Sequence, residues 1–211
     1  EHDNMYVGME DVKLFYNKDN IEYTANRVTQ DNIHNVEYGR YDIMNNKVIE
    51  SSIVRFPNRQ SVEKNWTLFY TTGNEQRFVY KWSPLTICEK QDDELKIVCE
   101  IETPYIFKQL RGSTNGIVIG DEIWFLCHLV NYESHRHYYH MFISINKETF
   151  EIHNYTQLFT FEKENIEYSL GFSYVTKNNQ FLIGYSTNDN TTKYLLVGKD
   201  LIDKMAITQC Q

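Results

Sequence analysis

A chain of 211 residues that is 41% hydrophobic is too apolar for a disordered segment, and long enough to bury a core without disulfide or metal staples. Its formal net charge of −8, with no Lys/Arg run able to neutralise a row of phosphates, argues against nucleic acid as a partner. No apolar stretch approaches the roughly 20 residues that span a bilayer, and the polar start "EHDNMYVG" has no signal-peptide core, so no membrane partner is expected and the chain reads as soluble.

Along the chain, four stretches read as strand, polar turn, strand: "VKLFYNKDNIEYTANRV", "TLFYTTGNEQRFVYKW", "GIVIGDEIWFLCHLV" and "FSYVTKNNQFLIGYS". Aromatics at 15% favour strands, and no segment holds a helical period over a useful length. Glu10, Glu63, Arg111 and Glu167 stand a few residues ahead of these hairpins, at steps of 53, 48 and 56. A period near 50 is that of a β-propeller blade. Each repeat has room for four strands; in the third, residues 115–120, 122–130, 136–145 and 150–157 fit. The expectation is an all-β chain forming a single β-propeller domain over 1–211. It would have four recognisable four-stranded blades, in repeats near 8–60, 61–108, 109–164 and 165–211. A β-sandwich would also use short strands, but not similar hairpins at an even step.

Four cysteines, Cys88, Cys99, Cys127 and Cys210, lack CxxC spacing, so no zinc or thioredoxin-type motif is indicated and no cofactor is expected. Cys88 and Cys99 could meet across a hairpin, although free, buried thiols are the expected state. The Asn-Xaa-Thr sequons at Asn65, Asn154 and Asn190 arise readily by chance in an Asn-rich chain. A cytoplasmic location is favoured over secretion, with the compartment left open.

In a propeller, the residues just before each innermost strand converge on one face of the disc. Here they are "GMEDVKLF", "SVEKNWTLF", "LRGSTNGIVI" and "NIEYSLGFSY". They bring Glu10, Asp11 and Lys13; Glu63, Lys64, Asn65 and Trp66; Arg111, Ser113 and Asn115; and Glu167. Repeated carboxylates and cations, rather than Gly and Ser, point to a shared pocket, with inter-blade salt bridges as the alternative. Carboxylates, amides and an aromatic face suit a polyhydroxylated ligand, and paired carboxylates are what glycoside hydrolysis requires. The carboxylates available for such a pair are Glu10, Asp11, Glu63 and Glu167.

At these residues the chain resembles the five-bladed β-propeller glycosidase superfamily, which includes the mannoside phosphorylases and arabinofuranosidases. "GMEDVKLF" is similar to the phosphorylase signature G-x-E-D-P-R-hydrophobic, and "SVEKNW", "RGSTNG" and "HLVNYESHRHYYHMF" are similar to propeller domains found beside glycosyltransferase modules. The resemblance runs from about residue 8 to 200. It implies that Asp11 stands at the catalytic acid's position and that Glu10 and Lys13 help hold the sugar; with Glu63 or Glu167 as the partner base, Asp11, Glu63 and Glu167 are the candidate catalytic residues. Val12 and Lys13 replace the family's Pro-Arg, exchanging a rigid fork for a flexible point charge. Five blades would need one ahead of Glu10, so either a first blade lies outside this chain or the ring closes with four.

The cluster "ESHRHYYHMF" falls on a hairpin. With its turn centred near Glu133, His128 would lie opposite Tyr138, and alternation would separate Arg136, Tyr138 and His140 from His135, His137 and Tyr139. That split argues against a three-histidine metal site. His128, Arg136 and His140 could form one group near Arg111 that contacts an anion such as phosphate or a nucleotide sugar. The expected function is a carbohydrate-active propeller, either a glycoside hydrolase or a phosphorylase. The alternatives are a non-catalytic sugar-binding module serving an attached glycosyltransferase, and a protein-interaction propeller.

Overall fold

The computed structural model describes residues 8–17, 20–28, 33–133 and 135–207, and it is built almost wholly of antiparallel strands. Blade one comprises β1 (Gly8–Asn17), β2 (Asn20–Val28), β3 (His34–Asp42) and β4 (Lys47–Val54). Blade two comprises β5 (Thr67–Tyr70), β6 (Gln76–Trp82), β7 (Leu85–Gln91) and β8 (Glu94–Ile101). Blade three holds β9 (Arg111–Gly112), β10 (Ile117–Ile119), β11 (Glu122–Asn131), β12 (His137–Asn146) and β13 (Ile152–Tyr155). Blade four holds β14 (Glu167–Val175), β15 (Gln180–Thr187) and β16 (Thr191–Gly198). Within each sheet the strands follow chain order, except that β9 pairs with β11 beside β10. This is a four-blade propeller arrangement, with the blades on the 50-residue step that the sequence shows.

Period-two burial explains why these segments become strands. In β15, Phe181, Ile183, Tyr185 and Thr187 are buried while the residues between them are half-exposed. Asn and Asp take the left-handed turn positions, as at Asn46, Asn74, Asp92 and Asn179, where their short side chains tolerate positive φ. Among the described residues blade four has three strands and not the expected four: after β16 the chain forms helix α1 (Lys199–Lys204). "KDLIDK" has no two-residue alternation. An i,i+4 Lys199–Asp203 pair at 2.8 Å supports the helix, which buries Ile202 against blade three.

Three apolar layers join the blades. Val36, Tyr38 and Val54 meet Trp66, Leu68 and Phe78 between blades one and two. Phe69, Trp82 and Ile87 meet Phe125, Met141 and Ile143 between blades two and three. Trp124, Leu126 and Phe142 meet Phe181 and Ile183 between blades three and four. Each such side chain contributes roughly 1.5–3 kcal/mol on burial, and among the described residues the middle layer has 14 buried members against 8 and 6, so the contact between blades two and three buries the most apolar side chains. Between blades four and one the described residues form no such cluster. There, Leu14 and Tyr16 of β1 and Tyr194 and Leu196 of β16 stay exposed.

Cys88, Cys99 and Cys127 are free thiols; Cys210 lies outside the described residues. A bulge between Ile87 and Cys88 sets Cys99 opposite Ile87 and Cys88 opposite Ile97, so the two cysteines do not face each other.

Candidate functional site

The inner strands β1, β5, β10 and β14 surround the channel, with β1 beside β14 and β10 beside β5 and β14. Their leading residues converge at one end. On β1 a bulge between Glu10 and Lys13 puts Asp11 in the left-handed region, at φ 51°. For an L-residue this costs on the order of 1 kcal/mol, and the surroundings hold it there. Asn26 of β2 donates from Nδ2 to Asp11 Oδ2 at 2.8 Å. Asn26 Oδ1 accepts the backbone N–H of Asn65 at 3.2 Å. The Tyr168 hydroxyl of β14 donates to Asn65 Oδ1 at 3.3 Å, with the Asp11 charge close enough to bear on its titration. Blades one, two and four thus set a ring of polar groups around the Asp11 carboxylate. Burial, reinforced by the Asp11 charge, pushes the Tyr168 phenol well above its ordinary pKa, so it remains a proton donor at neutral pH.

Blade three supports this ring from the side. His128 sits opposite Arg111 across the β9–β11 pair, with Ser113 Oγ 2.7 Å from its Nδ1. Its ring lies edge-on to Tyr168, with centroids 5.0 Å apart. Burial lowers the His128 pKa well below its usual value, and the neighbouring His140 and the cations Arg111, Lys13 and Lys64 lower it further. The imidazole is therefore neutral. Lys13 is 1% exposed, and burial lowers its pKa to about 8 against the pull of Asp11. Glu10 is exposed beside it.

The remaining expected residues have other surroundings. Glu167 is fully buried and accepts the backbone N–H groups of Phe161, Glu162 and Glu164 at 2.6, 2.7 and 2.9 Å, which ties down that loop. Glu63 Oε1 accepts Gln60 N–H at 2.6 Å and the Tyr80 hydroxyl at 3.2 Å. Trp66, expected to cover a sugar face, is 1% exposed because β5 turns it into the layer between blades one and two. Asn115 Oδ1 accepts Leu68 N–H at 2.8 Å and splices blade two to blade three. Arg136 pairs with Asp189 at 3.2 Å and lies over the Tyr138 ring, so it does not join His128. His128 pairs with His140, and Tyr138 with Val130. The centre of the hairpin is one residue later than expected, because β11 runs on to Asn131, whose side chain accepts Glu133 N–H at 2.8 Å. The facial split holds: His128, Tyr138 and His140 face blade four, while Tyr139 packs toward blade two. His140 is fully buried.

Sequence reasoning overlooked Asn26 and Tyr168. A polar Asn inside the buried run "YTANRV" was the available signal for the first. Nothing separated Tyr168 from the other 15 tyrosines.

No protein-family model matches the chain, and none of the curated proteins does. Solved structures do. A β-1,2-mannobiose phosphorylase from Listeria innocua superposes with a TM-score of 0.67 at 13% identity, over 96% of this chain and 62% of the other. A GDP-Man-dependent mannosyltransferase from Leishmania mexicana gives 0.66 at 11% identity, over 90% and 68%. A glycosyl hydrolase from Bacteroides ovatus gives 0.64 at 9% identity, over 92% and 66%. The shared feature is the propeller fold. This chain spans about two thirds of the length of each of these three proteins.

Proposed function

We propose that the channel mouth binds a carbohydrate and acts on a glycosidic bond, with Asp11 as the acid that protonates the leaving oxygen. The observation that carries this reading is the Asp11 setting: a half-buried carboxylate on a strained backbone, held by Asn26 and close to the Tyr168 phenol. Strain that the surroundings over-determine is characteristic of working positions. A carboxylate, two amides and a phenol within hydrogen-bond reach of one another suit a ligand rich in hydroxyls. The structural neighbours named as a mannobiose phosphorylase, a GDP-Man-dependent mannosyltransferase and a glycosyl hydrolase support the same class of ligand. On this reading Glu10 and Lys13 flank the sugar, and phosphate or a nucleotide sugar is a proposed co-substrate. Glu63, which lines a cavity shared with Asn65 and Arg111, is the proposed second carboxylate. Glu167 is proposed to brace the 161–164 loop.

A second reading, a glycan-binding propeller without turnover that serves a glycosyltransferase, is favoured by one observation: the carboxylates of Glu63 and Glu167 are both engaged by backbone N–H groups. Incubation with manno-oligosaccharides, with and without phosphate, separates the two. Turnover that falls at least about 100-fold in Asp11→Asn, with unchanged thermal unfolding, supports the first reading. Saturable binding with no reducing-end product or sugar phosphate supports the second.

A further inference from the structure

The end of the channel away from Asp11 opens into a hollow of about 540 Å³, to which all four inner strands contribute. Leu14, Phe15 and Tyr16 come from β1, Tyr70 from β5, Val118 from β10 and Phe172 from β14. Asp11 and Tyr16 stand five residues apart on β1, roughly 16 Å at the rise of an extended strand. This end is therefore distinct from the mouth.

No charged side chain lines the hollow. Phe15 and Tyr70 stand with ring centroids 5.0 Å apart, and the Tyr70 hydroxyl is committed to Glu22 at 2.6 Å. Asn115, also in the lining and 5% exposed, is fixed against β5. Its Oδ1 accepts Leu68 N–H at 2.8 Å, and the N–H of the next residue, Gly116, donates to the Leu68 carbonyl at 2.8 Å. Its Nδ2, by contrast, has no hydrogen-bond partner among the described residues. A buried donor left unpaired is costly, so the site calls for an acceptor. The hollow also lies where the ring has least apolar contact. Layers join blades one to two, two to three and three to four, whereas blades four and one share none among the described residues. Leu14 and Tyr16 border that seam from β1, 60% and 70% exposed, and Gly171, Phe172 and Ser173 line the hollow from β14 beside it. A molecule seated there would supply the apolar contact that the seam lacks.

We propose that this end of the channel is a second binding site, for an uncharged aromatic molecule that carries one hydrogen-bond acceptor, such as a ketone, amide or ether oxygen. The acceptor takes the unpaired Asn115 N–H, and the ring packs among Phe15, Tyr16, Tyr70 and Phe172, which can meet it edge to face or offset. An anion is unsuited, because it would meet no cation in the lining and would stand near the Glu22 carboxylate behind Tyr70. An apolar wall with a single placed polar group, in a hollow of this size, is the usual make-up of a small-molecule pocket. The site is independent of sugar binding at Asp11.

The full chain, labelled with nitrogen-15, would be titrated by nuclear magnetic resonance with acetophenone, with ethylbenzene, which lacks the acceptor, and with benzoate, which adds a charge. Acetophenone should bind about fivefold tighter than ethylbenzene and at least about tenfold tighter than benzoate. It alone should shift the side-chain amide signals of Asn115 strongly, and it should raise the thermal unfolding midpoint by linkage. Val118→Asp, at a rim position that is 50% exposed, should weaken acetophenone at least about fivefold while leaving manno-oligosaccharide binding unchanged. Equal affinity for acetophenone and ethylbenzene, or for acetophenone and benzoate, would overturn the proposal, as would binding that Val118→Asp leaves intact. Failure of all three probes to bind would overturn it too, and concentration-dependent self-association that buries Tyr16 and Val118 would then assign the hollow to a second copy of the chain.

Discussion

His140 shows how a single buried side chain can set the acid tolerance of the fold. Neither of its ring nitrogens has a hydrogen-bond partner among the described residues, and Phe159 and Phe161 pack around the ring. Glu167 Oε2 is 3.9 Å from Nε2, but that carboxylate already accepts three backbone N–H groups, and burial lowers the His140 pKa to about 3. A histidine with a depressed folded pKa binds fewer protons when folded than when unfolded. Its stabilising effect is complete above the unfolded value near 6.5 and is lost as the pH falls toward 3. Between pH 6.5 and 5 this one group should remove about 2 kcal/mol. Denaturant unfolding of wild type and His140→Phe at both pH values measures it: the variant should match or exceed wild type at pH 7 and lose less on acidification. Equal acid loss in both proteins would contradict the assignment. At this scale the sequence was only partly legible. Asp11, Asn65, Arg111 and His128 converge as their positions before and within the strands imply. Burial decides the rest: Trp66 and Asn115 serve packing and splicing, which strand alternation alone could not tell from pocket lining.

The β9 strand shows how closely neighbouring elements fit. Gly112 lies against blade two, and a Cβ there would come 2.3 Å from Thr67 Cγ2 and 2.7 Å from the Asn65 carbonyl oxygen. The second atom is backbone and cannot swing aside. Gly112→Ala should therefore move Asn65 and cost roughly 1–3 kcal/mol. Because Asn65 accepts from Tyr168, sugar binding should weaken along with stability. Unchanged unfolding midpoint and affinity would show that blade two yields without cost. The hairpins themselves could be read from alternation, and the four strands expected in blade three, β10 to β13, fall within two residues of expectation, while the short β9 was not foreseen. Register was harder. It depends on side-chain caps such as Asn131 to Glu133, and on bulges such as the one at Cys88, which shift strand pairing without altering the hydrophobic pattern.

Across the whole molecule, the repeat step was the most legible feature, because each blade needs the same apolar alternation to pack on its neighbours. The α1 helix in place of the fourth strand of blade four was not legible from that step, since the period fixes where a blade begins and not how its outer edge is finished. Three apolar layers hold the blades in order, and the convergence of their inner strands creates the Asp11 ring. Two other hollows compete as ligand sites. One, of about 540 Å³, lies among Leu14, Tyr16, Tyr70 and Phe172; the other, of about 430 Å³, lies on blade four beside Leu182 and Tyr194. Both are lined chiefly by apolar groups, whereas the Asp11 end offers the donors and acceptors that sugar hydroxyls need. A crystal structure of the chain soaked with a manno-oligosaccharide tests the central claim most directly. A sugar ring hydrogen-bonded to Asp11 and in contact with Tyr168 is the expected result; a sugar seated in either apolar hollow, with the Asp11 end empty, would contradict it.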